Sequence, residues 1–512
     1  MLGCSRLLPH TPFPSAKMSS LKVMSWNVRG LNSKFKRALM LDVIKRQAPH
    51  IVCIQETHLT GQKVLSLKRA WVARGYHSSY SVYARGVSIL ISKALPIEVI
   101  QVAPDHFGRF VIVHCALWGF TFTIASIYVP PPFDPAVLHL ISSKLAAMPP
   151  SPILCIGDFN AVPNPSLDRT SGLDTGSVRL NEWLTSLDLA DVWRSKHPQE
   201  REYSFYSSVH KSFSRIDLAF VSPDMLPHVD QVSYCPRSAS DHSALFISLL
   251  IGPPSDSRLW RLHPAWLLSP AVQSTVRAAH SEFWDVHSTH PDPLLVWDSY
   301  KSSVRGAFMS GVAGHRKSLN AQEERLTAAL VTAEKEYLDK PTPGNKKTWA
   351  QAQRNHLAVA KERTSKRLQA REASIFEFGD KNGKLLAYLS RAERPCASVP
   401  SIIDGNGALI TEPRAINMVF YEFYSSLYSS RLSASSVEIS RFLDSLPLWR
   451  LTPAQSSELD APLSAEEVEL AIQSLPPGKT PGLDGLGDCH RCQVPAKPSC
   501  SPESCIHQER IS

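Results

Sequence analysis

Eight short apolar runs occupy the first half of the chain: Leu21 to Trp26, Ile51 to Ile54, Val87 to Ile91, Phe110 to Leu117, Phe122 to Val129, Ile153 to Ile156, Ile216 to Val221 and Ala244 to Leu249. They are rich in Ile and Val and read as β-strands. Several are apolar at successive positions, so both of their faces must be covered, as in the interior of a sheet. Helical candidates are fewer. Phe35 to Gln47 places Leu39, Val43 and Arg46 at spacings of four and three, widened by Leu41 and Ile44 and stopped by Pro49. Pro135 can open a second helix to about Ala147, and Leu180 to Leu187 carries Trp183 and Leu184 inside a third. Many strands with few helices predict an α/β fold: a four-layer sandwich of two mixed β-sheets flanked by helices, and not a dinucleotide fold.

A chain of 512 residues, 43% hydrophobic, has room for roughly two to four domains. The expected division is an extension over 1–20, the α/β body over 21–250, and a linker over 251–257 around Pro253-Pro254-Ser255-Asp256-Ser257. A mostly helical basic segment follows over 258–390, then 391–485, and a disordered tail over 486–512. Helical runs are expected from Val272 to Phe308, Ala321 to Tyr337 and Lys346 to Phe376. The formal net charge is +9, and Lys301 to Ser390 holds 17 Lys plus Arg against 9 Asp plus Glu. Helices with one basic face can track a phosphate backbone; the alternative is a solvated connector.

Ten cysteines are scattered, with Cys53, Cys115 and Cys155 inside apolar runs, which predicts a reducing, intracellular setting. No run of eighteen apolar residues exists, so no membrane span is expected. The first 17 residues lack the apolar stretch of a secretory signal, and Met18 reads as an alternative start, with a mitochondrial presequence as the lesser reading. Gly478-Lys479-Thr480 lacks the earlier glycine of a phosphate loop and follows two prolines, so no nucleotide cofactor is expected. The cysteines from Cys489 to Cys505 are too irregularly spaced to predict a zinc site.

Polar residues gather where the apolar runs end, and strand ends form exposed rims in α/β bodies. Asn27 follows the first run, Glu56 the second, and Asp158 and Asn160 the sixth, while Asp241 and His242 precede the last. Glu56 is the candidate ligand for a hard divalent cation, with Asn27 and Asp241 completing its shell directly or through water. Its alternative is a solvated strand-end carboxylate. Phe159 turned into the core would hold Asp158 and Asn160 to one side, Asp158 to orient or deprotonate a water and Asn160 to donate to a phosphoryl oxygen. An ordinary turn is the plainer reading. His242 can serve charge developing on phosphorus if Asp217 fixes its tautomer. Asp217 opens an apolar run and needs a partner, and Arg215 is the competing one. Tyr128 can reach a phosphate oxygen or the hydration shell of the cation, or be a core tyrosine. The loops Asn164 to Val178 and Arg201 to Ser212, the latter with Tyr203, Phe205, Tyr206, His210 and Lys211, are candidates for groove contacts.

Taken in order, Met24 to Ser33, Gln55-Glu56-Thr57-His58, Ile127-Tyr128, Gly157-Asp158-Phe159-Asn160, Ser214-Arg215-Ile216-Asp217 and Ser240-Asp241-His242 resemble the endonuclease/exonuclease/phosphatase superfamily. Within it, the set is most similar to the apurinic-like endonuclease of long interspersed element retrotransposon proteins. The resemblance covers Leu21 to Leu250 and implies Glu56 as metal ligand with Asn27 and Asp241 in support, Asp158 on the nucleophilic water and Asn160 on the phosphate. It also implies Asp217 paired with His242, and Tyr128 on the phosphate side. Some abasic-repair relatives carry an Asp two residues after the first Asn, where this chain has Arg29, which favours the retrotransposon branch.

The activity so implied is Mg²⁺-dependent hydrolysis of a DNA phosphodiester, with Mn²⁺ as an alternative ion. The products are a 3′-hydroxyl and a 5′-phosphate, an end able to prime reverse transcription. Ala465 to Gly485 resembles the opening of the reverse transcriptase region of that family, and the residues after Gly485 are too few for a polymerase palm, so no polymerase activity is expected. Template RNA is a further expected partner of the basic segment, with at least transient nuclear residence. The rival readings are a phosphoesterase of the same fold acting on lipid or inositol phosphates, and an inactive nucleic-acid-binding remnant.

Overall fold

The computed structural model describes residues 18–171, 176–254, 260, 262, 266–267, 269–287, 289–378, 399, 401–405, 407–429, 435–446, 451–462 and 464–474. Outside these lie residues 1–17, the end of the expected linker at 255–257, the stretch 379–398, the Gly478-Lys479-Thr480 motif and the cysteine-bearing tail.

The strands, in chain order, are β1 (Met18–Asn27), β2 (Ile51–Gln55), β3 (Val72–Ser78), β4 (Val87–Ser92), β5 (Ile97–Pro104), β6 (Phe110–Leu117), β7 (Phe120–Tyr128), β8 (Ile153–Asp158), β9 (Ala190–Asp191), β10 (Phe205–Ser207), β11 (Ser212–Ser214), β12 (Asp217–Val221), β13 (Val229–Tyr234) and β14 (Leu245–Pro254). One six-stranded sheet has the order β13-β14-β1-β2-β4-β3, and a second has the order β5-β6-β7-β8-β12-β9. Both are mixed: β1 runs parallel to β2 and β7 parallel to β8, while the remaining pairs are antiparallel.

Alternation along the strands builds three cores. Val23, Ile51, Ile89, Val113, Ile124, Ile156 and Ile247 fill the space between the sheets. On the outer face of the first sheet, Met24, Trp26, Val52 and Ile54 pack on Met40, Leu41 and Ile44 of α1 (Lys34–Arg46). On the outer face of the second, Ile112, Ala125, Ile127, Cys155 and Phe220 meet α2 (Pro135–Ala146) and, after the short α3 (Pro165–Asp168), α4 (Ser177–Ser186). The four-layer sandwich expected from the runs is therefore the fold. Ser33 caps α1 and Asp134 caps α2, each side chain accepting a backbone N–H, and Pro135 occupies the first turn, where a missing N–H costs nothing.

The eight expected runs are the eight interior strands. The four edge strands, β3, β5, β9 and β13, have no comparable run. Each is partly exposed along its length, and residues such as Gly75 and His77 in β3 interrupt the apolar signal. The β10–β11 hairpin is too short to register.

After α5 (Val192–Lys196) come α6 (Pro270–His287), α7 (Pro293–Asp339) and α8 (Pro343–Phe378). The expected continuous run from Val272 to Phe308 is broken between His287 and Pro293, because Pro293 lacks an N–H and starts a new helix. The chain divides into two compact units, Met1–Ser255 with Leu326–Tyr428, and Asp256–Arg325 with Ser429–Ser512. In the second, Val272, Val276 and Phe283 pack against Val296, Tyr300, Val304 and Phe308. No described helix is long and apolar enough to cross a membrane.

Candidate active site

Register places the site residues before any side chain is considered. In the second sheet Asp158 pairs with Tyr128 on one side and Asp217 on the other, so three adjacent strands deliver polar groups at one level. In the first sheet Asn27 and Gln55 are paired at the ends of β1 and β2, and Glu56 follows directly. The two sheet rims are tied across the sandwich by the buried Gln55, whose Nε2 donates to Ser25 at 3.0 Å and to Ser126 at 3.2 Å. Gly157 precedes Asp158 because a Cβ there would lie 1.9 Å from the Ile127 carbonyl oxygen.

Asn27 is fully buried, and its Nδ2 donates to Glu56 Oε1 and to Asp158 Oδ2, both at 2.8 Å. It therefore bridges the two carboxylates. Burial pushes the Glu56 carboxyl up, but hydrogen bonds from His58 and Asn27, the charge of His242 and the Tyr128 hydroxyl together hold it at about 2, so it is ionised. Burial and the neighbouring Asp217 carboxylate push Asp158 well above the usual carboxylate range. Burial and the charges of Glu56 and Asp158 raise Tyr128, keeping its hydroxyl protonated.

His242 Nδ1 lies 2.8 Å from Asp217 Oδ2, and Phe205 of β10 covers the ring at 4.7 Å between centroids. Burial opposes protonation of His242, but the Asp217 charge and hydrogen bond, helped by Asp158 and Asp241, raise it to about 9. Arg215 is not the partner of Asp217. Its guanidinium donates to Asp168 at 2.8 and 2.9 Å and to Asp191 at 3.2 and 2.7 Å. The other Asp217 oxygen, Oδ1, is buried and has no hydrogen-bond partner.

Phe159 is buried against Trp183 and Phe220, and the chain turns sharply at Asn160, with φ of +48°. Asn160 Nδ2 donates to the Val129 carbonyl at 2.8 Å and more loosely to Asp158 Oδ2 at 3.4 Å. Asp241 is ion-paired with Arg29. Arg29, Glu56 and His58 also hold positive φ, so backbone strain gathers on this rim.

Glu56, Tyr128, Asp158, Asn160, Asp241 and His242 all line one open cleft of about 860 Å³, with Asn27 and Asp217 one hydrogen bond behind them. Ligand atoms of Asp158, Asp217 and His242 lie within 4.8 Å of one another, a grouping capable of coordinating a divalent cation. Since His242 Nδ1 and Asp217 Oδ2 are already bonded to each other, the acceptors this group itself leaves open are the unpartnered Asp217 oxygen and Asp158, while the ionised Glu56 and Asp241 face the same cleft. The donor set fits a hard, oxygen-seeking ion.

Several contributors carried no local signal. Ser204 Oγ accepts the backbone N–H groups of Ile216 at 3.0 Å and Asp217 at 2.9 Å, and Ser240 Oγ donates to the Asn27 carbonyl at 2.8 Å. In the Arg201 to Ser212 loop, Tyr203 is taken up by packing, while Phe205 and Tyr206 line the cleft.

The profile of the endonuclease/exonuclease/phosphatase family matches residues 24–242. Over 490 residues the chain is 22% identical to the transposon TX1 uncharacterized 149 kDa protein of Xenopus laevis, covering 91% of this chain and 36% of that protein. The chain thus spans about a third of the length of this curated relative. Among solved structures, it is similar to the AP endonuclease LMAP of Leishmania major (17% identity, TM-score 0.39, 49% of this chain and 93% of that one). It is also similar to the endonuclease domain of TRAS1, a telomere-specific non-LTR retrotransposon (20% identity, TM-score 0.37, 45% and 98%).

Proposed function

We propose that the protein is a metal-dependent DNA endonuclease that leaves a 3′-hydroxyl and a 5′-phosphate, a reading supported by the match of residues 24–242 to the endonuclease/exonuclease/phosphatase family. The observation that carries this reading is the cluster of Asp158, Asp217 and His242 at the floor of a cleft that also presents ionised Glu56.

Asp158, held by Asn27 and Asn160 and raised toward neutrality, takes a proton from the attacking water. The water oxygen bonds to phosphorus as the bond from phosphorus to the 3′ oxygen breaks, and solvent returns a proton to the departing oxygen. His242, kept charged and fixed in orientation by Asp217, donates through its other ring nitrogen to a non-bridging phosphoryl oxygen. The weakly committed Asn160 N–H donates to the same phosphate, while the protonated Tyr128 hydroxyl, hydrogen-bonded to Glu56, holds that carboxylate on the phosphate side of the cleft. Glu56, with Asn27 and Asp241 completing its shell directly or through water, would hold Mg²⁺, or Mn²⁺ in its place, and the ion would supply Lewis acidity at the scissile phosphate. This division of labour assigns 21–250 to catalysis and 258–390 to nucleic-acid contact, including template RNA, in a nuclear setting.

The test is nicking of supercoiled plasmid with Mg²⁺ by the wild type, Glu56→Ala and His242→Ala, beside turnover of phosphorylated lipid headgroups. Each substitution is expected to lower nicking by at least about 10²-fold, and chelation to abolish it. Headgroup turnover without nicking would replace this reading with the lipid phosphoesterase.

A further inference from the structure

The active-site cleft has a wall that comes from outside the two sheets. Lys346, Trp349 and Gln353 of α8 line it together with Glu56, Asp158 and His242. Spacings of three and four place these residues on one helical face. The same stripe continues to Ala360 and Thr364, both buried, and to Arg367, which is ion-paired with Asp42 of α1. Thr364 Oγ1 also donates to Asp42 Oδ2 at 3.1 Å.

The other end of the stripe is anchored on the β10–β11 hairpin. Trp349 stacks on Tyr337 at 5.4 Å and meets Tyr206 edge-on at 5.1 Å, while Gln353 Nε2 donates to the Arg237 carbonyl at 3.1 Å. Glu334 of α7 is ion-paired with Arg237. Aromatic contacts therefore fasten α8 to the same hairpin whose Phe205 covers His242. A tether that merely connected two bodies would need neither anchor.

A nucleic-acid strand in the cleft carries phosphates on both sides of the one being cut. The sheet loops and α1 contribute Arg29, Lys36 and Arg85 to the lining, and α8 adds the exposed Lys346. Lys211, at the hairpin turn, shares with Lys346 the surroundings of Tyr337, so positive charge is concentrated there.

We infer that Lys346 is a substrate-binding residue whose ammonium takes a backbone phosphate next to the scissile one, so that the start of α8 is part of the nuclease cleft. This rests on the endonuclease reading above. Lys347 is a built-in control, because it turns away and lines a groove with Leu326 and Ala329 of α7.

The experiment uses the full chain as wild type, Lys346→Glu, Lys346→Arg and Lys347→Glu, with two readouts: steady-state nicking, and binding of a labelled DNA duplex in EDTA across about 50 to 200 mM salt. Lys346→Glu is expected to raise KM and weaken binding about tenfold with kcat within twofold, and to lower the salt slope by about 0.9, the loss of one phosphate contact. Lys346→Arg and Lys347→Glu should stay within twofold of the wild type. The inference is overturned if Lys346→Glu behaves like Lys347→Glu, or if it lowers kcat and leaves KM unchanged. If the wild type nicks no DNA, the endonuclease reading fails, and the binding series still decides whether Lys346 meets a phosphate.

Discussion

Arg215 and Asp217 are two residues apart and both fully buried, yet they belong to charge clusters of opposite design. Around Arg215 the charges balance: Arg215 and Arg194 face Asp168 and Asp191, two cations against two carboxylates, with the Arg215 guanidinium bonded to both acids. Burial disfavours the Arg215 charge, but Asp191 and Asp168 more than restore it. Around Asp217 there are two carboxylates and one imidazole, an oxygen without a partner, and a raised Asp158. The compensated cluster is a scaffold that fixes where β12 begins. The uncompensated one opens on a cleft, the arrangement expected of a site kept for chemistry, since buried charge left unsatisfied is costly to a fold.

If this contrast is right, substitutions in the two clusters separate activity from stability. The largest effect is expected from Asp158→Asn, which keeps the shape and removes one of two neighbouring negative charges. Nicking should fall about 10³-fold, close to 4 kcal/mol of transition-state stabilisation, while the melting temperature holds or rises. A falling melting temperature would mean that this cluster is also a scaffold. Next comes Arg215→Met, which leaves two buried carboxylates facing Arg194 alone. It should cost about 3–5 kcal/mol in denaturant or thermal unfolding, with nicking per folded molecule nearly unchanged. Unaltered stability would dissolve the contrast from the other side.

The same logic separates what can be read along the chain from what cannot. Interior strands announce themselves because both faces are buried, so β1, β2, β4, β6, β7, β8, β12 and β14 appear as runs of Ile and Val. Edge strands need only one apolar face: β5 leaves Ile100 half exposed and β3 is interrupted by Gly75 and His77. The candidate site residues were legible as a group because they stand at the ends of legible strands. Their compensation was not, since it is settled by partners far apart: Arg215 by Asp168, Asp241 by Arg29, the cleft wall by a helix whose Arg367 finds Asp42 across 325 positions. No local pattern distinguishes an arginine bound for Asp168 from one bound for Asp217. Alternation narrows the choice to a face, and tertiary packing makes it.

His77 gives the smallest and most selective test, because it is a mostly buried ionisable group that belongs to neither cluster. Burial alone depresses it to about 4, and its Nδ1 lies 2.9 Å from Ser88 Oγ. The unfolded chain takes up this proton near pH 6.5 and the folded chain only near pH 4, so between those values the unfolded state binds more protons and stability falls as the pH falls. With its partial exposure taken into account, the contribution is about 1–2 kcal/mol across that window. Asp158 titrates with the opposite sign, since its raised carboxyl favours the protonated folded state, so the informative quantity is the difference between the wild type and His77→Asn. That difference should grow on acidification from pH 7 to pH 4 in urea unfolding, with the variant losing less stability than the wild type. Parallel curves would show that water reaches His77, and that an uncompensated ionisable group in this fold is costly only where it is held by other charges.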